Sequence, residues 1–290
     1  MTRFHSSRRS FFARLATAAA VLSGRLEVGK AMQAPDSTRS IDADVGTLYQ
    51  EIADIADQNT YPLSLLQPEQ SNLAELRSNI RRKVFELFHY QPPSVSPAPR
   101  LIQRWEFEDY VQEKVEFSTT PWFRVPAFVL VPKKFSGRRP GIVDLHSHGG
   151  MFVFGKEKVM PMPGGDHPAI TAYRIDNYEG RSTSLELCRR GYVVISIDCF
   201  YFGERRTLFP DQKAFSGRER HTLSVEEVRQ LNRRTGQGEQ TLAKSLFWAG
   251  TTWQGIAHWD DIRTIDYLVS RPEVDPAVPL LPKSRLRQLS

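Results

Sequence analysis

Two histidines and two glycines form the densest chemical signal in the sequence, His146-Ser147-His148-Gly149-Gly150. Side chains two residues apart on an extended segment point to the same side. His146 and His148 could therefore offer two imidazoles to one divalent metal. The glycines suit a different chemistry. Without a Cβ, Gly149 and Gly150 can adopt positive φ and let a ligand approach the backbone closely. Both chemistries stay open on these residues alone. Cys188 and Cys199 lack the spacing of a metal site and read as small buried hydrophobes rather than a disulfide. His258 reads as a packing or solvated residue on a helix.

The elements that must position this segment follow from periodicity. Ile142–Leu145 and Tyr192–Ile197 are short, mostly apolar and β-branched, as strands covered on both faces tend to be. Val125–Pro132 reads as a third strand. Ser182–Arg190 is a helix between the first two, with Ser182 or Thr183 as N-cap and Gly191 as stop. The simplest assembly is a right-handed parallel βαβ crossover.

Upstream, Asp42–Gln58 and Glu69–Tyr90 read as helices. The second carries one apolar stripe through Leu73, Leu76, Ile80, Val84, Leu87 and Phe88. A proline-rich connector, Pro92–Pro99, follows, and then Leu101–Thr119 and Phe123–Val131 alternate like the arms of a hairpin. Downstream, Gly203–Ala249 is a charged insertion with a helix from Ser224 to Arg234 and a break at Gly236-Gln-Gly238. Thr251–Ser270 returns to helical spacing, with Ile256, Trp259, Ile262, Ile265 and Val269 on one side.

Together these segments resemble bacterial esterases of the acetyl xylan esterase and dienelactone hydrolase type, within the α/β-hydrolase superfamily. The resemblance covers residues 123–276, with the 203–249 insertion weakly matched. It rests on Val125–Pro132 with Pro140–Gly150, on Gly191–Arg205, and on Asp260–Pro276. It implies an α/β fold, a mostly parallel sheet flanked by helices, with an N-terminal helical extension. It also implies hydrolysis of a small-molecule or carbohydrate ester by a serine, histidine and acid triad, without metal or organic cofactor. The loop after Ile142–Leu145 would then supply an oxyanion donor. That makes Gly149, Gly150 and Met151 the oxyanion-hole candidates, with the amide of Gly150 or Met151 as the donor. The 203–249 insertion would be a cap over the site or a solvated loop.

A competing resemblance starts from Pro140-Gly-Ile-Val-Asp-Leu-His-Ser-His148, since metal-dependent amidohydrolases carry a similar string. There His146 and His148 would bind the metal. A (β/α)₈ barrel typically needs about 250 residues, and 142 follow His148.

The hydrolase pattern departs at its next element. No Gly-x-Ser-x-Gly occurs in the sequence. The nearest string, Gly180-Arg-Ser-Thr-Ser184, follows Asn177-Tyr-Glu rather than a buried strand and reads as a helix N-cap. After Pro276 the segment Ala277–Ser290 holds two prolines and three cations, a poor composition for a central strand. The expectation is the N-terminal portion of a hydrolase, truncated or frameshifted before the nucleophile elbow. It would lack the nucleophile, acid and histidine of the triad and be inactive alone. A non-catalytic relative that kept the pocket rim is the alternative.

Composition bounds the rest. At 290 residues and 40% hydrophobic, the chain can hold one large domain with appendages. Its formal charge of +6 is concentrated at the ends. Residues 1–34 carry six cations and one acid, and the tail three more cations, which leaves residues 35–276 at net −2. That body gives no electrostatic reason for nucleic-acid binding. Ser7-Arg-Arg-Ser-Phe-Phe12, followed by an alanine-rich stretch, resembles a twin-arginine export signal over residues 1–34. It implies a periplasmic or secreted protein. The expected divisions are thus 1–34 signal, 35–100 helical extension and connector, 101–276 hydrolase portion, and 277–290 an aberrant tail.

Overall fold

The computed structural model describes residues 45–66, 72–209 and 219–277. The export segment and the tail from Val278 onward lie outside them. The chain divides into two compact units, residues 1–79 and 80–290. In the first, a 3-10 turn over Gly46–Leu48 leads into helix α1 (Tyr49–Asp57), and helix α2 (Leu73–Phe88) begins. Asn72 caps α2, its Oδ1 accepting the amides of Ala74 and Glu75 at 3.2 Å each, which satisfies two orphan donors of the first turn. Among the described residues no helix is long and apolar enough to cross a membrane.

The second unit is built on a five-stranded sheet in the order β1-β2-β3-β5-β4. Its strands are β1 (Arg100–Glu106), β2 (Tyr110–Ser118), β3 (Arg124–Pro132), β4 (Gly141–Val143) and β5 (Val193–Ile197). The fold class is that of a partial α/β-hydrolase, and the sheet within it is mixed. Pairs β1–β2, β2–β3 and β3–β5 are antiparallel, and β4–β5 is parallel. The expected hairpin arm Leu101–Thr119 is two strands. The Phe107 amide donates to the Tyr110 carbonyl across a tight turn, so the segment folds back on itself into a three-stranded meander.

Strands β3 and β5 lie at the centre and are buried almost throughout. Their side chains alternate between two cores, as the period of two requires. Val125, Ala127 and Val129 of β3, with Val193, Ile195 and Ile197 of β5, pack against Tyr267 and Leu268 of helix α7 (Trp253–Ser270). Phe128, Leu130 and Val194 face the other way, onto Val159, Met160 and Cys188. Cys188 belongs to helix α4 (Thr183–Arg189), whose N-cap is Ser182. Both cysteines are free thiols. Burial pushes Cys188 up to about 12 and Cys199 up to about 11, so neither is a reactive thiolate.

A third layer covers the end of the sheet where β4 and β5 finish. Helix α3 (Pro168–Tyr178) and helix α5 (Val225–Gln237) enclose Met151, Val153 and Phe154. A short helix α6 (Glu239–Trp248) continues from α5 after Gly238. Ser224 and Glu227 form the reciprocal capping box of α5, as Ser-x-x-Glu before a helical pattern leads one to expect.

Candidate active site

The loop after β4 passes through His146, Ser147, His148, Gly149 and Gly150 before the chain turns inward at Met151. Each step is held from a different element. At the end of β4, the Thr183 and Ser184 hydroxyls donate to Asp144 Oδ2 at 2.7 Å each. The Ser147 amide donates to the Tyr178 hydroxyl at 3.0 Å, and Ser147 Oγ lies 2.8 Å from the Tyr173 and Tyr178 hydroxyls. Gly149 has φ +49°, and a Cβ there would stand 1.8 Å from the Tyr173 hydroxyl. Only glycine fits that position.

The two histidines do not converge on a common ligand. His146 Nε2 accepts the Cys199 amide at 3.1 Å, and its Nδ1 lies 3.1 Å from the Ser147 carbonyl. Its ring is set edge-on to Phe202. Burial, aided by the nearby Lys158 charge, pushes His146 down to about 3, so this imidazole is neutral and both nitrogens are spoken for. His148 instead points across the loop to Glu239, with Nε2 2.5 Å from Oε1. The metal-pair expectation for His146 and His148 thus fails on geometry, and a mixed sheet stands where it required a barrel. His258 packs between the Phe85 and Phe88 rings.

The amides of Gly150 and Met151 are already committed. Gly150 N–H donates to His148 Nδ1 at 3.2 Å, and Met151 N–H to the His148 carbonyl at 3.4 Å. The amides of His148 and Gly149 make no hydrogen bond among the described residues. Both residues are exposed and line a cavity of about 590 Å³. Alanines 169 and 172, Val225, Val228 and Phe152 supply its apolar wall, and Asp176, Arg229, Arg233 and Glu239 its polar rim. That volume lies within the usual range for small-molecule sites. Helix α5, from the insertion, forms one wall, so part of that insertion borders the loop rather than lying apart in solvent.

Asn232 on α5 secures the inward turn. Its Oδ1 accepts the amides of Phe152 and Val153 at 2.8 and 3.0 Å. Behind the turn lies a group of charges, all fully buried but Glu204, that composition alone would place on the surface. Lys156 Nζ lies 2.7 Å from Asp198 Oδ2, 2.7 Å from Glu204 Oε1 and 3.3 Å from Glu157 Oε1. Arg220 pairs with Glu157 at 3.0 Å and donates to the Val153 carbonyl. Burial opposes charge throughout, yet Asp198, Glu157 and Glu204 hold Lys156 above its ordinary range. Glu204 is likewise depressed to about 2, because Lys156, Arg220 and Lys114 outweigh its desolvation. The three carboxylates are close enough to share a cation, and the protein supplies that cation itself, as Lys156 and Arg220.

Lys158 differs from its neighbour. It is fully buried and forms no ion pair among the described residues; its ammonium donates to the Ser147 and His148 carbonyls at 2.7 and 3.0 Å. Desolvation, against the weaker pull of Asp198, Cys199 and Glu157, lowers it to about 7. Sequence reading missed this residue. The available signal was a charged triplet, Lys156-Glu157-Lys158, between the apolar runs Met151–Phe154 and Val159–Met162.

Comparison with known proteins bears on this arrangement. The model of the Abhydrolase family matches residues 38–224. "Putative hydrolase YtaP" of Bacillus subtilis (strain 168) is 24% identical over 201 residues, which are 69% of this chain and 54% of that protein. A crystal structure of a "putative acetyl xylan esterase (BF1801)" from Bacteroides fragilis NCTC 9343 superposes with a TM-score of 0.52 at 20% identity. It covers 71% of this chain and 46% of that one, a likeness of fold. Acetyl Xylan Esterase 1 from Thermoanaerobacterium sp. JW/SL YS485 matches 68% of this chain and 53% of its own at 14% identity, with a TM-score of 0.35. The chain spans about half the length of these relatives.

Proposed function

The chain belongs to the Abhydrolase family, and from that premise we propose that its residues form the oxyanion side of a carboxylic ester hydrolase. The substrate is a small-molecule or carbohydrate ester, with an acetyl ester the best fit to the reading. One observation carries this. Two consecutive backbone amides, of His148 and Gly149, stand at the edge of a cavity without hydrogen-bond partners among the described residues. Preorganised N–H donors of that kind stabilise the negative oxygen that develops when an ester carbonyl is attacked. The expected donors move one to two residues upstream of Gly150 and Met151, whose amides are engaged by His148.

None of the 290 residues stands in Gly-x-Ser-x-Gly. Ser182, in the nearest string, is a helix cap whose Oγ accepts the Leu185 amide and donates to the Val159 carbonyl. These residues by themselves should bind an ester carbonyl without cleaving it. Titration with p-nitroacetanilide, a slowly hydrolysed isostere of p-nitrophenyl acetate, tests the binding. The His148 and Gly149 amide resonances should shift in a saturable way; shifts confined to distant residues would overturn the reading. Turnover of p-nitrophenyl acetate that a serine-directed phosphonate abolishes would overturn the lack of a nucleophile. The twin-arginine resemblance at Ser7–Phe12 supports export. Retention in the cytoplasm of a reporter fused to residues 1–34, in a host with a working twin-arginine system, would count against it.

A further inference from the structure

We propose that Lys158 is the positioning residue of this loop, drawing two carbonyls inward so that two amides face the cavity. The inference rests on the oxyanion reading for its purpose, but its geometry stands apart from it. A trans peptide is planar, and its C=O and N–H point in opposite directions. The Lys158 ammonium holds the Ser147 and His148 carbonyls at 2.7 and 3.0 Å. The amides in those same two peptides belong to His148 and Gly149, so they are directed away from the lysine. Both of these amides lack hydrogen-bond partners among the described residues.

The surroundings suit a charge kept for this task. An ammonium has three donors, and two are used on carbonyls. Its remaining side lies over the Phe202 ring, with Nζ 4.4 Å from the centroid, and the Tyr173 ring stands at 5.6 Å. Aromatic faces attract a cation without supplying a counter-charge. A paired carboxylate would compete for the ammonium and repel a negative oxygen on the far side of the loop. Cationic donors also make stronger hydrogen bonds than neutral ones, and polarising a carbonyl strengthens the N–H of the same peptide as a donor. Lys158 thus both orients the amides and makes them better partners for an oxyanion. The neighbouring Lys156, neutralised by Asp198 and Glu204, can do neither.

The titratable and charged groups around Lys158 are His146 and His148 on the loop, Tyr173 and Arg174 on α3, Asp198 and Cys199 beyond β5, and Glu157 and Lys156 on its own turn. Burial weakens the ammonium, so the brace should slacken as pH rises.

The experiment follows backbone amides and side-chain nitrogens by NMR on the full chain, from pH 5.5 to 9. In the wild type, the His148 and Gly149 amide shifts should move with the same midpoint as the Lys158 Nζ resonance. Lys158→Met should place both amides at their high-pH positions and remove that titration. It should also weaken p-nitroacetanilide binding about tenfold, the loss of roughly one charge-assisted bond. Amides that keep wild-type shifts in a folded Lys158→Met protein would overturn the proposal. If that variant does not fold, the wild-type titration decides: midpoints that follow the His146 or His148 ring instead overturn it. Absence of p-nitroacetanilide binding in the wild type strikes the ester reading and leaves the coupling between Lys158 and the two amides measurable.

Discussion

Asp198 holds both ends of Lys156. Its Oδ1 accepts the Lys156 backbone amide at 2.9 Å, and its Oδ2 lies 2.7 Å from Nζ. One carboxylate at the end of β5 thereby fixes the turn that carries Lys158 beneath the loop. Removing the cation would leave Asp198 and Glu204 buried without their main counter-charge, a change that typically costs about 3–5 kcal/mol. Lys156→Met should therefore lower the urea midpoint of unfolding sharply, with the slope unchanged. A shift corresponding to less than about 1 kcal/mol would show that the cluster relaxes by admitting water or a proton.

Two glycines close around the same carboxylate. A Cβ at Gly155 or at Gly203 would lie 2.2 Å from Asp198 Oδ1, and Gly203 also has φ +58°. Gly203→Ala combines a steric clash with left-handed strain, each costing on the order of 1 kcal/mol or more. Thermal unfolding should fall by several degrees, whereas Gly137→Ala, where φ is +76° but no atom lies within 4 Å, should show the strain alone and a smaller loss.

What the sequence revealed was local, and what it hid was long-range. Strands β3 and β5, the Ser182 cap, the helix that starts at Ser224 and helix α7 all announce themselves through neighbouring residues. Helix α3 escaped because its stripe is interrupted by buried polar groups. Arg174 is almost fully buried, donating to the Lys158, Glu157 and Met160 carbonyls, and His167 caps the helix. Pro168 at its first position and Gly180 just beyond its end were the usable marks. The charge cluster was invisible for a related reason. Lys156 looks like a solvated loop residue until Asp198 and Glu204, more than forty positions away, are folded onto it. The Gly150 and Met151 amides, expected to be free, are engaged by His148, and the Ser147 and His148 carbonyls are held by a lysine ten residues downstream of His148, contacts that periodicity along the loop does not disclose.

Acid should destabilise the fold through His146 before the carboxylates are reached. Its folded value, about 3, lies below the ordinary 6.5. The neutral ring is favoured in the native state, so its contribution is complete above pH 6.5 and is lost as pH falls toward 3. Glu204, depressed from 4.5 to about 2, adds a second loss that begins only near pH 4.5. His146→Gln keeps an acceptor for the Cys199 amide but cannot take up a proton. Urea midpoints measured at pH 7.5, 6.0 and 5.0 should fall more steeply for the wild type than for the variant. His221 and His258, also lowered by burial, add a decline common to both, and Asp261, raised by burial to about 7, a gain common to both. Parallel declines in the two proteins would remove His146 from the account.

Glu239 sets the tautomer of His148. With Nδ1 accepting the Gly150 amide, the ring proton must sit on Nε2, where it donates to the Glu239 carboxylate. Both side chains are partly exposed, so the pair contributes at most about 1 kcal/mol to stability, and Glu239→Ala should unfold within that margin of the wild type. Its effect should be seen in the loop instead. Freed from the carboxylate, the ring can carry its proton on Nδ1, which no longer accepts from Gly150. The ring nitrogen spectrum should then show a mixture of tautomers, and the Gly150 amide should move upfield and exchange faster with solvent. The Gly149 amide, held from behind by Lys158, should barely change. A Gly149 resonance that shifts as far as Gly150 would mean that the helix α6 contact, and not the lysine, sets the direction of that peptide.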